Sequence, residues 1–396
     1  MFISAHSRFF LSAALLSFAA WSAHAELPSV EATQDEFPTD EESYTQDGFP
    51  TTPYLGTDVD MFGNVAIAGM PGADDFAGRA AIYVRDNKGQ WQRTATLKAS
   101  NPTPNAEFGT RVTLTTGRAV VASKTAIYLF VRQASGIWKQ TDVHTFAGAD
   151  HVSDLDWQGN MLAVGVLGST YANYAFAYDS SQTNTLRKIA RFAPADAVKS
   201  DGFGTRIAAY GSTIIATAPG YNNKEGAAYV FTCGATSCAQ RQKLLSIDGA
   251  PGDQFGGSVD INGTYLVIGA PGAAQSGEYE HQQGGNVYVF TRAGSTWTQT
   301  QTLHPTSADC DNYAGFGFDV TIQGPRLLIG SPYNGDYWFD GLTFEYTLDG
   351  GQWSPRALLS YVSGFGASTS LIGQYAIVGS PDHSPWTGEV LFYKLP

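Results

Sequence analysis

The chain has little of what marks most kinds of protein. Of its 396 residues three are cysteine, and 23 Lys and Arg stand against 36 Asp and Glu. The net charge of −13 argues against nucleic acid and anionic membrane as partners, because both repel an acidic surface. Beyond residue 25 no apolar run reaches the roughly 20 residues that a membrane-spanning helix needs. No segment of useful length there carries a helical period. Past residue 25 the histidines are His144, His151, His281, His304 and His383, without metal-ligand spacing. Neither a Gly-x-Ser-x-Gly elbow nor a phosphate-binding loop is present. No cofactor is implied, and the well-marked enzyme classes fall away.

Three cysteines allow one disulfide and leave one thiol over. Cys233 and Cys238 flank Gly-Ala-Thr-Ser between two strand-like runs, which suits a hairpin disulfide in an oxidising compartment. Cys310 is then odd, expected free or partly buried. Residues 1–25 read as a secretory signal: His6 and Arg8, an apolar run over residues 9–20, then Ala23-His24-Ala25 as the cleavage site. They hold one of the 23 bases and no acid, so their removal leaves 22 bases against 36 acids. The mature protein is expected to be a soluble monomer that is secreted, periplasmic or on the cell surface. Residues 26–54 carry eight acids and no Lys or Arg, the pattern of a solvated linker or a cation-attracting tail.

What the chain does have is a repeat. Copies start at Leu55, Phe108, His151, Phe203, Phe255, Phe316 and Phe365, most of them with a Phe-Gly pair. Fourteen residues on, six copies reach a small-small-Pro triplet or a near variant, as in Gly269-Ala270-Pro271. The same six carry a turn glycine eight residues after the start: Gly63, Gly159, Gly211, Gly263, Gly324 and Gly373. The copy at Phe108 is one residue longer to its turn and has lost the proline. Each copy reads as strands. Ser258-Val259-Asp260-Ile261 alternates by two, and Asn262-Gly263 is a favoured hairpin turn. Leu266-Val267-Ile268 suits a strand buried on both faces. A third strand follows, as in Asn286-Val287-Tyr288-Val289-Phe290, and a fourth often opens Gly-x-Trp, as at Trp91, Trp138 and Trp353. Four short strands in about 45–60 residues, seven times over, predict an all-β fold. It is a seven-bladed β-propeller of four-stranded blades over residues 55–396. The seventh copy stops after its third strand, at Pro396, so part of 26–54 is expected to return as the missing fourth.

Phe-Gly, then Gly-Ala-Pro, then Gly-x-Val-Tyr-Val-Phe resembles the FG-GAP repeat of the integrin α-subunit propeller and its bacterial secreted relatives. The resemblance covers about residues 55–396 and implies an extracellular recognition or adhesion role. In several repeats of that family the first hairpin carries an Asp-rich calcium loop. Here the hairpins are short, as in Asp60-Met61-Phe62-Gly63, Asp156-Trp157-Gln158-Gly159 and Asp260-Ile261-Asn262-Gly263. One carboxylate per turn cannot supply the six to eight oxygens that calcium takes. No metal is expected there.

Function is then left to the loops that differ between copies. Loops leaving the second strands, and those entering the next blade, open on one face; in copies five to seven they are long. The candidate ligand-binding set there is Tyr279, His281, Tyr313, Tyr333, Asp336, Tyr337, Trp338, Asp382 and Trp386, with Glu278, Asp309 and Asp311 nearby. Rings beside carboxylates suit a glycan, whose apolar face stacks, or the hot spot of a protein partner. The plainer reading is that these rings pack the long loops onto the blade tops. A pairing of Glu278 or Glu280 with Asp336 would instead make this face a polysaccharide hydrolase or lyase. A structural envelope role is the third reading. No catalytic residue is assigned. The recurring fourth-strand Trp reads as blade packing, and His151, at the Phe position of its copy, as a packing substitute.

Overall fold

Apolar runs separated by glycine turns fold each copy into a four-stranded antiparallel meander. In a computed structural model seven such meanders form a ring, each a blade with its first strand innermost. The structure describes residues 29–30, 32–37, 52–168, 173–273, 284–305, 315–334, 340–359, 364–382 and 387–396. Blade 5 shows the pattern, with strands Ser258–Ile261, Tyr265–Ala270, Asn286–Ala293 and Thr296–Leu303 paired in chain order. Among the described residues no helix is long and apolar enough to cross a membrane.

A blade is a single sheet, so both of its faces must be buried against neighbours. The apolar side chains of the described residues accordingly gather in seven clusters, one at each seam between blades. Seam 4/5 shows how a seam is plugged. Leu244, ending the fourth strand of blade 4, and Phe255, opening blade 5, lie with Ala228, Val230, Tyr288 and Phe290. The Phe255 ring meets Tyr288 and Phe290 edge-on at 5.4 and 6.1 Å. Burying one such ring stabilises by about 2–3 kcal/mol. The same plug joins Leu97 to Phe108, Phe192 to Phe203, Leu303 to Phe316 and Leu359 to Phe365.

Seam geometry also explains why the two landmarks of the repeat travel together. A Cβ on Gly69, Gly269, Gly330 or Gly379 would strike the carbonyl oxygen of Gly109, Gly317, Gly366 or Gly56 in the next blade. The glycine of one triplet therefore faces the glycine of the next Phe-Gly or Leu-Gly. Close backbone approach leaves no room for a side chain at either.

Blade 7 takes its fourth strand from Gln34–Glu36, antiparallel to Glu389–Lys394. Gln34 faces Phe392 as Gln242 faces Val230 and Gln301 faces Val289, so all three occupy one blade position. Each clasps the backbone of the next blade's Trp. Its amide donates to the Trp carbonyl and accepts the Trp N–H, for Gln34 on Trp91, Gln242 on Trp297 and Gln301 on Trp353, at 2.7 to 2.9 Å. Ser29–Val30 runs parallel to Gln352–Leu359 of blade 6, so this short segment straps blades 6 and 7 together.

Two further expectations meet the structure here. A disulfide joins Cys233 to Cys238 across the third and fourth strands of blade 4, whereas Cys310 and residues 1–25 lie outside the described residues. His151 does not substitute for the repeat's Phe. It is exposed, a β-bulge lies between Val152 and Asp154, and Val152 is the residue buried instead.

Candidate functional site

On the loop face the structure brings together Tyr333 and Asp382. Tyr333 lies near the end of the second strand of blade 6, Arg326–Asn334, and Asp382 follows the second strand of blade 7, Tyr375–Ser380. The Tyr333 ring meets Phe318 edge-on at 5.5 Å and remains 47% exposed. Burial, and then the negative charge of Asp382, hold its phenol above the usual range. Burial likewise raises the Asp382 carboxyl. The charge of Asp382 thus reaches Tyr333 across the boundary between blades 6 and 7. The other candidates, Tyr279, His281, Tyr313, Asp336, Tyr337, Trp338 and Trp386, lie outside the described residues, as do Glu278, Glu280, Asp309 and Asp311.

A second group of charged side chains escapes a reading of the loops. Of the fourteen residues third and fifth after a copy's start, all but Ala208, Ser258 and Ser368 line a cavity of about 150 Å³ on the ring axis, on or just before the innermost strands. Six are carboxylates (Asp58, Asp60, Asp154, Asp156, Asp260 and Asp319), accompanied by Arg111 and Arg206. Asp60, Asp156 and Asp260, assigned above to the hairpin turns, therefore belong to the channel. An innermost strand has one edge without a strand partner, and its N–H groups need acceptors. The carboxylates supply them from the preceding blade. Asp58 accepts from Val112, Asp154 from Ile207, Asp260 from Ile322 and Asp319 from Thr369, each at 2.7 Å. Asp60 accepts from Leu114 at 2.6 Å, and Asp156 from Ala209.

This lacing has an electrostatic cost. Burial pushes the carboxyls of Asp58 and Asp260 up to about 7 and that of Asp319 to about 6. Asp60 and Asp154 are raised as well, and Asp156 well above its ordinary range, again chiefly by burial. Arg111, 3.6 Å from Asp154, offsets part of the burden at Asp58 and Asp154. Among the described residues no three His, Cys, Asp or Glu are placed to hold a metal ion. The ring satisfies backbone edges and ties neighbouring blades together. Its sequence signal was a polar or charged residue at the same two offsets in copy after copy.

The fold and this axial ring define a seven-bladed repeat propeller. Residues 186–231 and 238–290 match the FG-GAP repeat model, each segment running from the fourth strand of one blade through the third of the next. With seven blades in the ring, the chain fits an FG-GAP repeat protein resembling integrin α-subunit β-propellers. No curated protein matches it. Among solved structures it is similar to a protein from Lactobacillus plantarum at 16% identity and a TM-score of 0.55, covering 81% of this chain and 89% of that one. It is also similar to a proposed 6-phosphogluconolactonase from Bacteroides fragilis at 14% identity and a TM-score of 0.53, covering 78% and 87%. Likeness at such identities establishes the fold alone.

Proposed function

We propose that the protein is an exported, non-enzymatic recognition or adhesion protein that binds a glycan or protein through the loop face of blades 5 to 7. The observation that carries this reading is Tyr333, a ring 47% exposed at the blade rim and within electrostatic reach of Asp382. An exposed ring stacks on the apolar face of a pyranose or anchors a protein partner, and a neighbouring carboxylate accepts hydroxyl or amide hydrogens. The buried carboxylates of the axis support a non-catalytic role, because backbone donors of the next blade already engage them. The disulfide fits an oxidising compartment.

A glycan array and a pull-down from extracellular protein test the proposal. A ligand identified by either should bind at least about tenfold more weakly to Tyr333→Ala and to Trp338→Ala. Polysaccharide turnover abolished by Asp336→Asn would replace recognition with an enzyme. A ligand indifferent to both ring deletions would remove the loop face from the account.

A further inference from the structure

The seam between blades 2 and 3 lacks the plug that closes five others. His144 faces Ile127 in the register in which Leu303 faces Val287 and Leu244 faces Ala228, so a histidine stands where the repeat has leucine. The Phe position of the next copy is His151, which is exposed. Phe146 and Val152 are buried nearby, with Phe146 5.0 Å from the Phe176 ring. They do not fill the space. A cleft of about 960 Å³ remains, walled by Phe146, Tyr174, Phe176 and Tyr178, with His144, Lys188 and Arg191 around it. Phe176 and Tyr178 occupy the blade positions of Tyr288 and Phe290, the two rings that Phe255 covers in blade 5.

The charges at this cleft are as unusual as its emptiness. Arg191 stands 3.8 Å over the Tyr174 ring, and Lys188 lies 6.0 Å from that of Phe176. Among the described residues neither has a carboxylate within ion-pair distance. The base at the matching position of blade 4 contrasts with them: Lys243 is paired with Asp196 at 2.8 Å. An acidic protein has thus placed two cations without a carboxylate partner among the described residues beside mutually tilted aromatic rings in a cleft of ligand size. Thr145, Tyr174 and Tyr178 add hydroxyl groups to the walls.

We propose that the blade 2/3 cleft binds an acidic sugar unit, a pyranose bearing a carboxylate. Tyr174, the partly exposed ring of the wall, would take its apolar face, with Phe146, Phe176 and Tyr178 buried behind it as the apolar backing. Arg191 and Lys188 would take its carboxylate and the hydroxyl group of Thr145 its polar edge. This site lies across the ring from blades 5 to 7 and does not depend on the reading of their loops.

Calorimetric titration with a tetramer of galacturonic acid and with a neutral galactose tetramer tests it. The acidic tetramer should bind saturably, and the neutral one at least tenfold more weakly. Arg191→Gln and Lys188→Gln, both at exposed positions, should each weaken acidic binding at least tenfold at an unchanged melting temperature. Tyr333→Ala should leave it unaltered. Absence of saturable binding, equal binding of the neutral tetramer, indifference to Arg191→Gln, or loss of binding in Tyr333→Ala would each overturn the proposal. So would saturable binding of an aromatic carboxylate in place of the acidic tetramer.

Discussion

Seams 4/5 and 2/3 use the same strand positions and close in opposite ways. In the first, Leu244 and Phe255 are buried together against the rings of Tyr288 and Phe290. In the second, His144 and His151 hold those positions, and a cleft opens beside Phe176 and Tyr178. A repeat protein holds its ring by repeating one plug, so a copy that abandons the plug forgoes stability. Natural chains tend to break such local rules where a site is made. Seam 7/1 is a third case. Glu36 and Leu55 hold its plug positions, and the strap from Gln34–Glu36 with the Gln34–Trp91 clasp helps to close it.

The largest expected effect breaks this third seam. Removing residues 26–37 takes away a whole blade strand and should lower the melting temperature by roughly 10 °C, read by differential scanning fluorimetry. An unchanged value would mean that the ring closes without the strap. Next comes the direct contrast between seams. Phe255→Ala should cost about 3–5 kcal/mol in chemical denaturation, whereas His151→Ala should change stability by less than about 0.5 kcal/mol. Equal costs would erase the distinction between the two seams. Gln34→Ala is milder, at about 1–3 kcal/mol, because it strands the buried N–H and carbonyl of Trp91.

The smallest effect concerns the axis, which all seams share. Its carboxyls are raised in the folded state, so the folded protein binds more protons than the unfolded chain between the ordinary carboxyl range and about pH 7. Their contribution is fully present below the unfolded pKa and is lost as pH rises through the folded values. Melting temperature should therefore fall from pH 5 to pH 8. Asp260→Asn, which cannot ionise, should flatten that fall by about 1 kcal/mol or more. A parallel curve would show that Asp260 titrates normally.

Much of the architecture was legible because each blade repeats landmarks with a packing reason. Phe-Gly and Gly-Ala-Pro meet across seams, Trp91, Trp297 and Trp353 are buried where the fourth strands begin, and the unfinished seventh copy signalled a missing strand. The axial carboxylates are not legible in the sequence, because a charged residue alternating with apolar ones also describes a strand facing solvent. Only ring closure turns that face inward. The cleft was half visible. His151 stands out as the copy's missing Phe, but His144 is tied to the leucine position only by strand register, and a bulge between Gln140 and Asp142 upsets the count along the sequence. On the loop face, pairing Tyr333 with Asp382 required the spatial neighbourhood of blades 6 and 7, which residue spacing does not encode.

The double change His144→Leu with His151→Phe tests the central contrast most directly, because it installs the common plug in the divergent seam. Melting temperature and affinity for the acidic tetramer would be measured on the same sample. The account predicts opposite movements: stability rises by about 1–3 kcal/mol as apolar surface is buried, and binding falls at least tenfold. A variant no more stable than the parent that still binds the tetramer would contradict it.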